Sequence, residues 1–135
     1  MKAIEAVETG GPETLALVER PEPSAGPGEV LLRVRLAGVN FMDVHMRRGT
    51  EPAPFPLIPG VEGVGTVEAT GEGVGSLSVG QRVAYPFAMR PGAYAELHAV
   101  PRCPGRRGAR GRRGRAGRRG DDAGAHRPRA GVLGV

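Results

Sequence analysis

The 135-residue sequence has few of the residues that cross-link or fill out a protein core. It contains one cysteine, Cys103, no tryptophan and only five aromatic side chains. A single cysteine excludes an internal disulfide and favours a reducing compartment. No apolar run approaches the ~18 residues of a membrane span, and the initial MKAIEAVETGG lacks the apolar stretch of a secretory signal. We therefore expect a cytoplasmic protein that does not associate with membranes.

The net charge of +5 conceals two regions of opposite sign. Residues 1–101 hold 8 Lys and Arg against 12 Asp and Glu, a net charge of −4. Residues 102–135 hold 11 Arg against 2 Asp, a net charge of +9. All Phe and Tyr lie in the first region, and the strongly apolar residues of the second are Val132, Leu133 and Val135. A folded core is therefore expected in residues 1–101 alone.

Short apolar segments separated by Gly and Pro dominate residues 1–101. The strongest strand signal is EVLLRVRLAGV, with apolar and charged side chains on alternate faces. One face carries Val30, Leu32, Val34 and Leu36, and the other carries Arg33 and Arg35. Further strands are predicted in MKAIEAV, TLALVERP, VEGVGTVEATGEGV, QRVAYPF and AYAELHAV. The segment EPAPFPLIPG is a proline-rich extended connector. This pattern predicts a mainly β protein, a small barrel or sandwich.

A single short helix is predicted over residues 40–48, directly after the strongest strand. Asn40 is a favourable N-cap, and Asp43 stands at the N3 position of a capping box. Met42 and Met46 are four residues apart and would share one helix face. By pattern alone this helix either plugs one end of a barrel or forms a wall of a catalytic site.

The order of segments resembles the N-terminal GroES-like catalytic domain of the medium-chain dehydrogenase/reductase superfamily, in particular its zinc-free quinone oxidoreductase branch. The resemblance is carried by GGPETLALVERPEPSAGPGEVLLRV, AGVNFMDVHMRRG, PLIPGVEGVGTVEATGEGV, GQRVAY and GAYAELHAV, and covers roughly residues 1–101. It implies that residues 1–101 form a partly open barrel with the helix at 40–48. Residues 102–135 would then be an arginine- and glycine-rich disordered tail.

The resemblance also bears on metal binding. Zinc-dependent members have a cysteine ligand where this chain has Asn40, and a GHE triplet where it has Gly60, Val61 and Glu62. A catalytic zinc needs about three protein ligands, and only Glu62 remains of that set. Cys103 lies outside the matched segments. We therefore predict that the protein holds no zinc and interpret Glu62 as a structural residue at the barrel rim.

Asn40 and His45 are the candidate catalytic and cofactor-contacting residues. Hydride transfer to a quinone or enone spreads charge over a conjugated system, so hydrogen-bond donors can replace a metal. In the resembled family the asparagine borders the nicotinamide and the substrate, and the residue matched by His45 is commonly tyrosine. Histidine also titrates near neutrality. Thr50 and Glu51 stand where relatives often have another tyrosine, so the substrate class stays open. Asp43 is interpreted as a supporting residue.

The sequence contains no dinucleotide-binding fingerprint in a suitable context. GEGVGS at residues 71–76 has the glycines, but no apolar helix follows it. In the resembled family a helix and an NADPH-binding Rossmann domain follow the barrel, and the enzymes are often homodimers acting on small molecules. We therefore expect a catalytic-domain fragment of an NADPH-dependent quinone or enone oxidoreductase, inactive alone.

Three interpretations stay open for residues 102–135. The first is an arginine-rich tail on a non-enzymatic barrel that binds nucleic acid through phosphates, although it lacks interleaved aromatic residues for stacking. The second is plain disorder. The third, which we favour, is a shifted reading frame. One allowed reverse translation of residues 121–128, read from its second base, gives Met-Met-Gln-Gly-Leu-Thr-Ala-His, which is similar to a string at the start of the family's Rossmann domain.

Overall fold

The computed structural model describes residues 1–75, 77–88, 90–101 and 131–132. The elements in chain order are β1 (Lys2–Ala6), a 3₁₀ turn (Pro12–Thr14), β2 (Leu15–Glu19), β3 (Glu29–Ala37), α1 (Phe41–Arg48), β4 (Gly63–Thr70), β5 (Arg82–Tyr85), β6 (Leu97–Pro101) and β7 (Gly131–Val132). The three interpretations of the basic tail fall almost entirely outside the described residues, so they stay predictions.

The strands form two sheets that do not close into one. Strands β1 and β2 make an antiparallel pair. The second sheet has the order β6-β3-β4-β5-β7, antiparallel throughout except where β7 pairs with β5. Single bridges from Ala3 to Ala95 and from Ala6 to Leu57 attach the small sheet to the rest. The predicted fold class, mainly β with one short helix in a partly open barrel, is confirmed.

Two apolar clusters fill the interior. The larger lies between the strands of the five-stranded sheet and contains Val30, Leu32, Val67, Val74, Val83, Tyr85, Ala88, Ala93 and Val100. The smaller joins α1 to the proline-rich connector through Met46, Leu57 and Val61, with Met42, Ala53 and Phe55 packed against it. The helix is therefore anchored to the connector through its own small cluster.

The predicted alternation along β3 is wrong at its carboxyl end. Arg33 and Arg35 are exposed as expected, but Leu36 is 70% exposed, whereas Leu31, assigned to neither face, is buried. The pairing with β4 shifts register between Leu31 and Leu32 and again between Val34 and Leu36. A bulge inserts an extra residue and reverses the face of every side chain beyond it. A strict period of two therefore cannot hold along the whole strand.

Helix α1 matches the prediction closely. Asn40 has extended backbone angles and serves as the N-cap, and the capping box with Asp43 is present. The helix ends at Gly49, which adopts φ +76° and satisfies the final carbonyls of His45 and Met46. Within the described residues, no helix combines the length and apolarity needed to cross a membrane.

Candidate functional site

A buried carboxylate, Asp43, organises the residues around the start of α1. Its side chain is only 4% exposed. Oδ2 accepts the backbone N–H of Asn40 at 2.8 Å and the hydroxyl of Tyr94 at 3.3 Å. Oδ1 accepts the backbone N–H of Gly60 at 2.9 Å. Three segments that are distant in sequence therefore meet at one side chain.

The Gly60 turn accepts no larger residue. Gly60 has φ +97°, and a Cβ there would lie 2.7 Å from both Ala93 Cβ and Tyr94 Cδ1. The neighbouring chain is fixed in turn, because the Tyr94 N–H donates to the Pro59 carbonyl at 3.0 Å. Burial, with the adjacent Asp43 carboxylate, raises the pKa of Tyr94 to about 12. Tyr94 therefore stays a protonated donor at neutral pH.

Asn40 carries the unsatisfied donor of this site. Its side-chain nitrogen Nδ2 is buried and has no hydrogen-bond partner among the described residues. Buried amide groups are almost always hydrogen-bonded, because an unmade bond costs about 1–3 kcal/mol. The N-terminal end of a helix also carries partial positive charge. Together these features suit an acceptor oxygen or a developing negative charge beside Asn40.

The structure does not bring His45 to Asn40. His45 is exposed in the last turn of α1, and its Nδ1 lies 3.1 Å from the Thr50 hydroxyl oxygen. That hydroxyl donates its one proton to the His45 carbonyl at 3.1 Å. His45 therefore donates from Nδ1, which leaves Nε2 as an acceptor in the neutral ring and a donor only when the ring is protonated.

The positions that hold zinc ligands in zinc-dependent relatives have other partners here. Val61 is 3% exposed and packs with Met46 and Leu57. The Glu62 side chain lies directly over Gly38, where a Cβ would come within 1.8 Å of its Oε1. Among the described residues, no group of three or more His, Cys, Asp or Glu side chains is placed to hold a metal ion.

Glu62 also lines a cavity of about 410 Å³ at the carboxyl end of β3. Its other walls include Leu36, Gly38, Gly63 and Tyr85. A volume of this order suits a small organic molecule. Because Gly38 lies two residues before Asn40, the cavity borders the segment that carries the candidate donor.

A buried pair next to this cavity is not predicted by the sequence patterns. Tyr85 and His98 are 2% and 5% exposed, and the Tyr85 hydroxyl lies 2.9 Å from His98 Nδ1. Burial lowers the pKa of His98 to about 4. Gly63 leaves room for the tyrosine hydroxyl and Gly92 for the imidazole. Glycine opposite a large polar residue on strands is the only sequence signal, and it is a weak one.

Known proteins match most of this chain in sequence. The family model described as the alcohol dehydrogenase GroES-like domain matches residues 26–124. The quinone oxidoreductase of Pseudomonas aeruginosa is 46% identical over 101 residues, which are 73% of this chain and 30% of that protein. The chain thus spans about a third or less of the length of such relatives.

Solved structures share the fold. A Pseudomonas syringae quinone oxidoreductase superimposes with a TM-score of 0.71 at 42% identity, covering 74% of this chain and 31% of that one. The Escherichia coli quinone oxidoreductase in complex with NADPH gives 0.70 at 34% identity, with 74% and 31% covered. The chain therefore belongs to the alcohol dehydrogenase GroES-like domain family, in the quinone oxidoreductase branch of the medium-chain dehydrogenase/reductase superfamily.

Proposed function

We propose that residues 1–101 are the substrate-side catalytic domain of a zinc-free, NADPH-dependent quinone or enone oxidoreductase. The observation that carries the proposal is the buried Asn40 Nδ2, a donor without a partner among the described residues. It lies at the amino end of a helix, and Gly38, two residues before it, lines a cavity of about 410 Å³. The matching relatives support the same reaction class, and one of their structures holds NADPH.

The chemistry assigned to this chain is binding and hydrogen bonding. NADPH, when bound, would supply the hydride. Asn40 Nδ2 donates to the oxygen on which negative charge collects, or to the nicotinamide amide, and so stabilises the transition state. His45 would contact substrate or cofactor through Nε2, which its bond to Thr50 leaves available. Asn40 and His45 are the two residues that we assign to the cofactor.

The absence of zinc is part of the proposal. Asn40 and Val61 are not of the residue types that bind zinc, and Val61 is buried in an apolar cluster with Met46 and Leu57. Elemental analysis of the purified chain should find no stoichiometric zinc. One zinc per chain that resists a mild chelator would contradict the zinc-free assignment.

Activity requires the part of the enzyme that binds the dinucleotide. The 135-residue chain alone should therefore show no NADPH-dependent quinone reduction. A chimera in which residues 1–101 replace the matched segment of the Pseudomonas aeruginosa quinone oxidoreductase should turn over. Ordinary enzymatic rates from the 135-residue chain would contradict the two-domain account, and an inactive but folded chimera would contradict the assigned reaction.

The role of Asn40 can be tested in that chimera. Asn40→Ala removes the donor and should lower kcat/KM by roughly 10²–10³-fold. Asn40→Asp is the matched control, because it keeps a capping oxygen but removes the amide donor. Near-unchanged turnover in Asn40→Asp, with only a stability loss in Asn40→Ala, would show that Asn40 is merely a helix cap.

The proposal also covers the origin of residues 102–135 and the oligomeric state of the enzyme. Residues 102–135 are assigned to out-of-frame sequence that replaces the start of a Rossmann domain, and the restored enzyme to a cytoplasmic homodimer. The coding DNA around codons 100–122 tests the first assignment, since a correct frame there would leave a genuine tail. Sedimentation of the restored enzyme tests the second, and a monomer would contradict it.

A further inference from the structure

We propose that Asp43 is the positioning residue of this site: its carboxylate couples the Asn40 N-cap to the Gly60 turn and thereby fixes the direction of the Asn40 amide. The proposal rests on the proposed function only for its effect on catalysis. The coupling itself can be measured in the 135-residue chain.

The contacts exceed what helix capping requires. A capping box asks only one bond of the N3 side chain, the bond from the N-cap N–H, here that of Asn40 at 2.8 Å. The second oxygen of Asp43 binds the Gly60 N–H, 17 residues away in sequence, at 2.9 Å. Tyr94, 51 residues away, adds a hydroxyl at 3.3 Å. A residue that only capped α1 would leave these two donors unused.

The hydrogen-bond donors to the Asp43 carboxylate among the described residues are all uncharged. Asp43 is 4% exposed and forms no ion pair with any described residue. The nearest candidate cation on the helix, Arg47, donates instead to the Gly10 carbonyl. Hydrogen bonds to an ionised acceptor are stronger than those between neutral groups. The carboxylate therefore holds two backbone N–H groups more firmly than a neutral side chain would.

Few other hydrogen bonds link these two segments, although α1 also packs against Val61 through Met46. The Gly38 N–H donates to the Glu62 carbonyl at 3.1 Å and ties the chain two residues before Asn40 to the chain two residues after Gly60. Between these points, Asp43 alone among the described residues joins the N-cap to the turn through hydrogen bonds. Because Asn40 Nδ2 has no partner of its own, the amide is held by the oxygen side of the capping box and by the N-cap backbone, and Asp43 takes part in both.

The coupling should be visible in the unmodified chain by nuclear magnetic resonance. Scalar couplings through hydrogen bonds should connect the amide nitrogens of Asn40 and Gly60 to the side-chain carboxyl carbon of Asp43. In Asp43→Asn, amide exchange at Asn40 and Gly60 should accelerate about tenfold or more, while residues 45–48 keep their protection. Absent couplings, or uniform loss of protection along α1 in a folded variant, would overturn the proposal. If Asp43→Asn does not fold, the couplings decide alone.

A double-mutant cycle in the chimera tests the catalytic consequence. Asp43→Asn should lower kcat by roughly 10- to 100-fold and leave the KM for NADPH nearly unchanged, since a misaligned donor affects the chemical step. Asp43→Asn combined with Asn40→Ala should be no slower than Asn40→Ala alone, because Asp43 acts through Asn40. Additive losses would overturn the positioning role. An inactive chimera would refute the proposed function, while the couplings would still decide the positioning.

Discussion

Two carboxylates are almost equally buried in this domain, yet they are stabilised in different ways. Glu5 is 2% exposed and forms a two-pronged ion pair with Arg20, whose Nε lies 2.7 Å from Glu5 Oε2. Asp43 is 4% exposed and binds two backbone N–H groups and a tyrosine hydroxyl. The first charge is neutralised by a cation, whereas the second keeps its net charge at the candidate site.

The difference separates a structural from a functional use of burial. The Glu5–Arg20 ion pair links β1 to the residue that follows β2, and Arg20 provides the positive charge that balances Glu5. The Asp43 carboxylate accepts hydrogen bonds from three segments, so its stabilisation does not depend on one partner alone.

Removing the cation is expected to have the largest effect. Arg20→Met leaves Glu5 buried without a counter-charge and should lower the melting temperature by roughly 10–15 °C. The matched double variant Glu5→Leu with Arg20→Met removes both charges and should recover most of that loss. Thermal unfolding followed by circular dichroism measures both variants. A double variant as unstable as Arg20→Met would show that the packing of Arg20, and not its charge, matters.

A third buried group, His98, is tolerated by staying neutral, and it predicts an acid-sensitive stability. Its folded pKa of about 4 lies below the ordinary 6.5, so the unfolded chain takes up a proton first as the pH falls. Stability is therefore full above pH 6.5 and declines toward pH 4, with about 2 kcal/mol lost between pH 7 and pH 5.

The control for this prediction is His98→Gln, which removes the titrating ring. Carboxylates titrate mostly below pH 5, and the variant keeps them and the other histidines, so the difference between the two proteins isolates His98. Denaturant unfolding at pH 7 and pH 5 provides the measurement. An equal loss of stability in both proteins would assign the acid sensitivity to other groups.

Local patterns were readable from the sequence, whereas the contacts that define the site were not. The helix, its Asn40 cap and the capping box follow from residues within four positions of each other. The Asp43 contacts to Gly60 and Tyr94 span 17 and 51 residues, and nothing in a single sequence indicates them. The reversed face at the end of β3 depends on a bulge in its pairing with β4, where Arg35 is the extra residue. Glu5 stands at a position whose alternation with apolar neighbours would suit a solvent-facing residue.

Removing one neutral donor from Asp43 should cost far less than removing Arg20 from Glu5. Tyr94→Phe keeps the ring against Gly60 and deletes only the hydroxyl, whose bond to Oδ2 is long at 3.3 Å. A loss of about 1 kcal/mol or less is expected, because two backbone donors still bind the carboxylate. Denaturant unfolding measures the loss. A destabilisation as large as that of Arg20→Met would show that Tyr94 is the principal partner of the charge.

An exposed ion pair should contribute least of all. Arg33 and Glu68 face each other across β3 and β4 at 2.8 Å, with side chains 48% and 42% exposed. The hydrogen bond from Arg33 lowers the pKa of Glu68, so any contribution of the pair is full above the ordinary pKa of a glutamate and is lost as the pH falls through the lowered value. Water and salt screen such a pair almost completely. Glu68→Gln should therefore leave the melting temperature at pH 7 unchanged within error, and any small effect at low salt should vanish at about 1 M salt. The lower melting temperature of Arg20→Met should persist at that salt concentration, because Glu5 is buried away from dissolved ions. If the two variants responded to salt alike, burial would not be what distinguishes the two ion pairs.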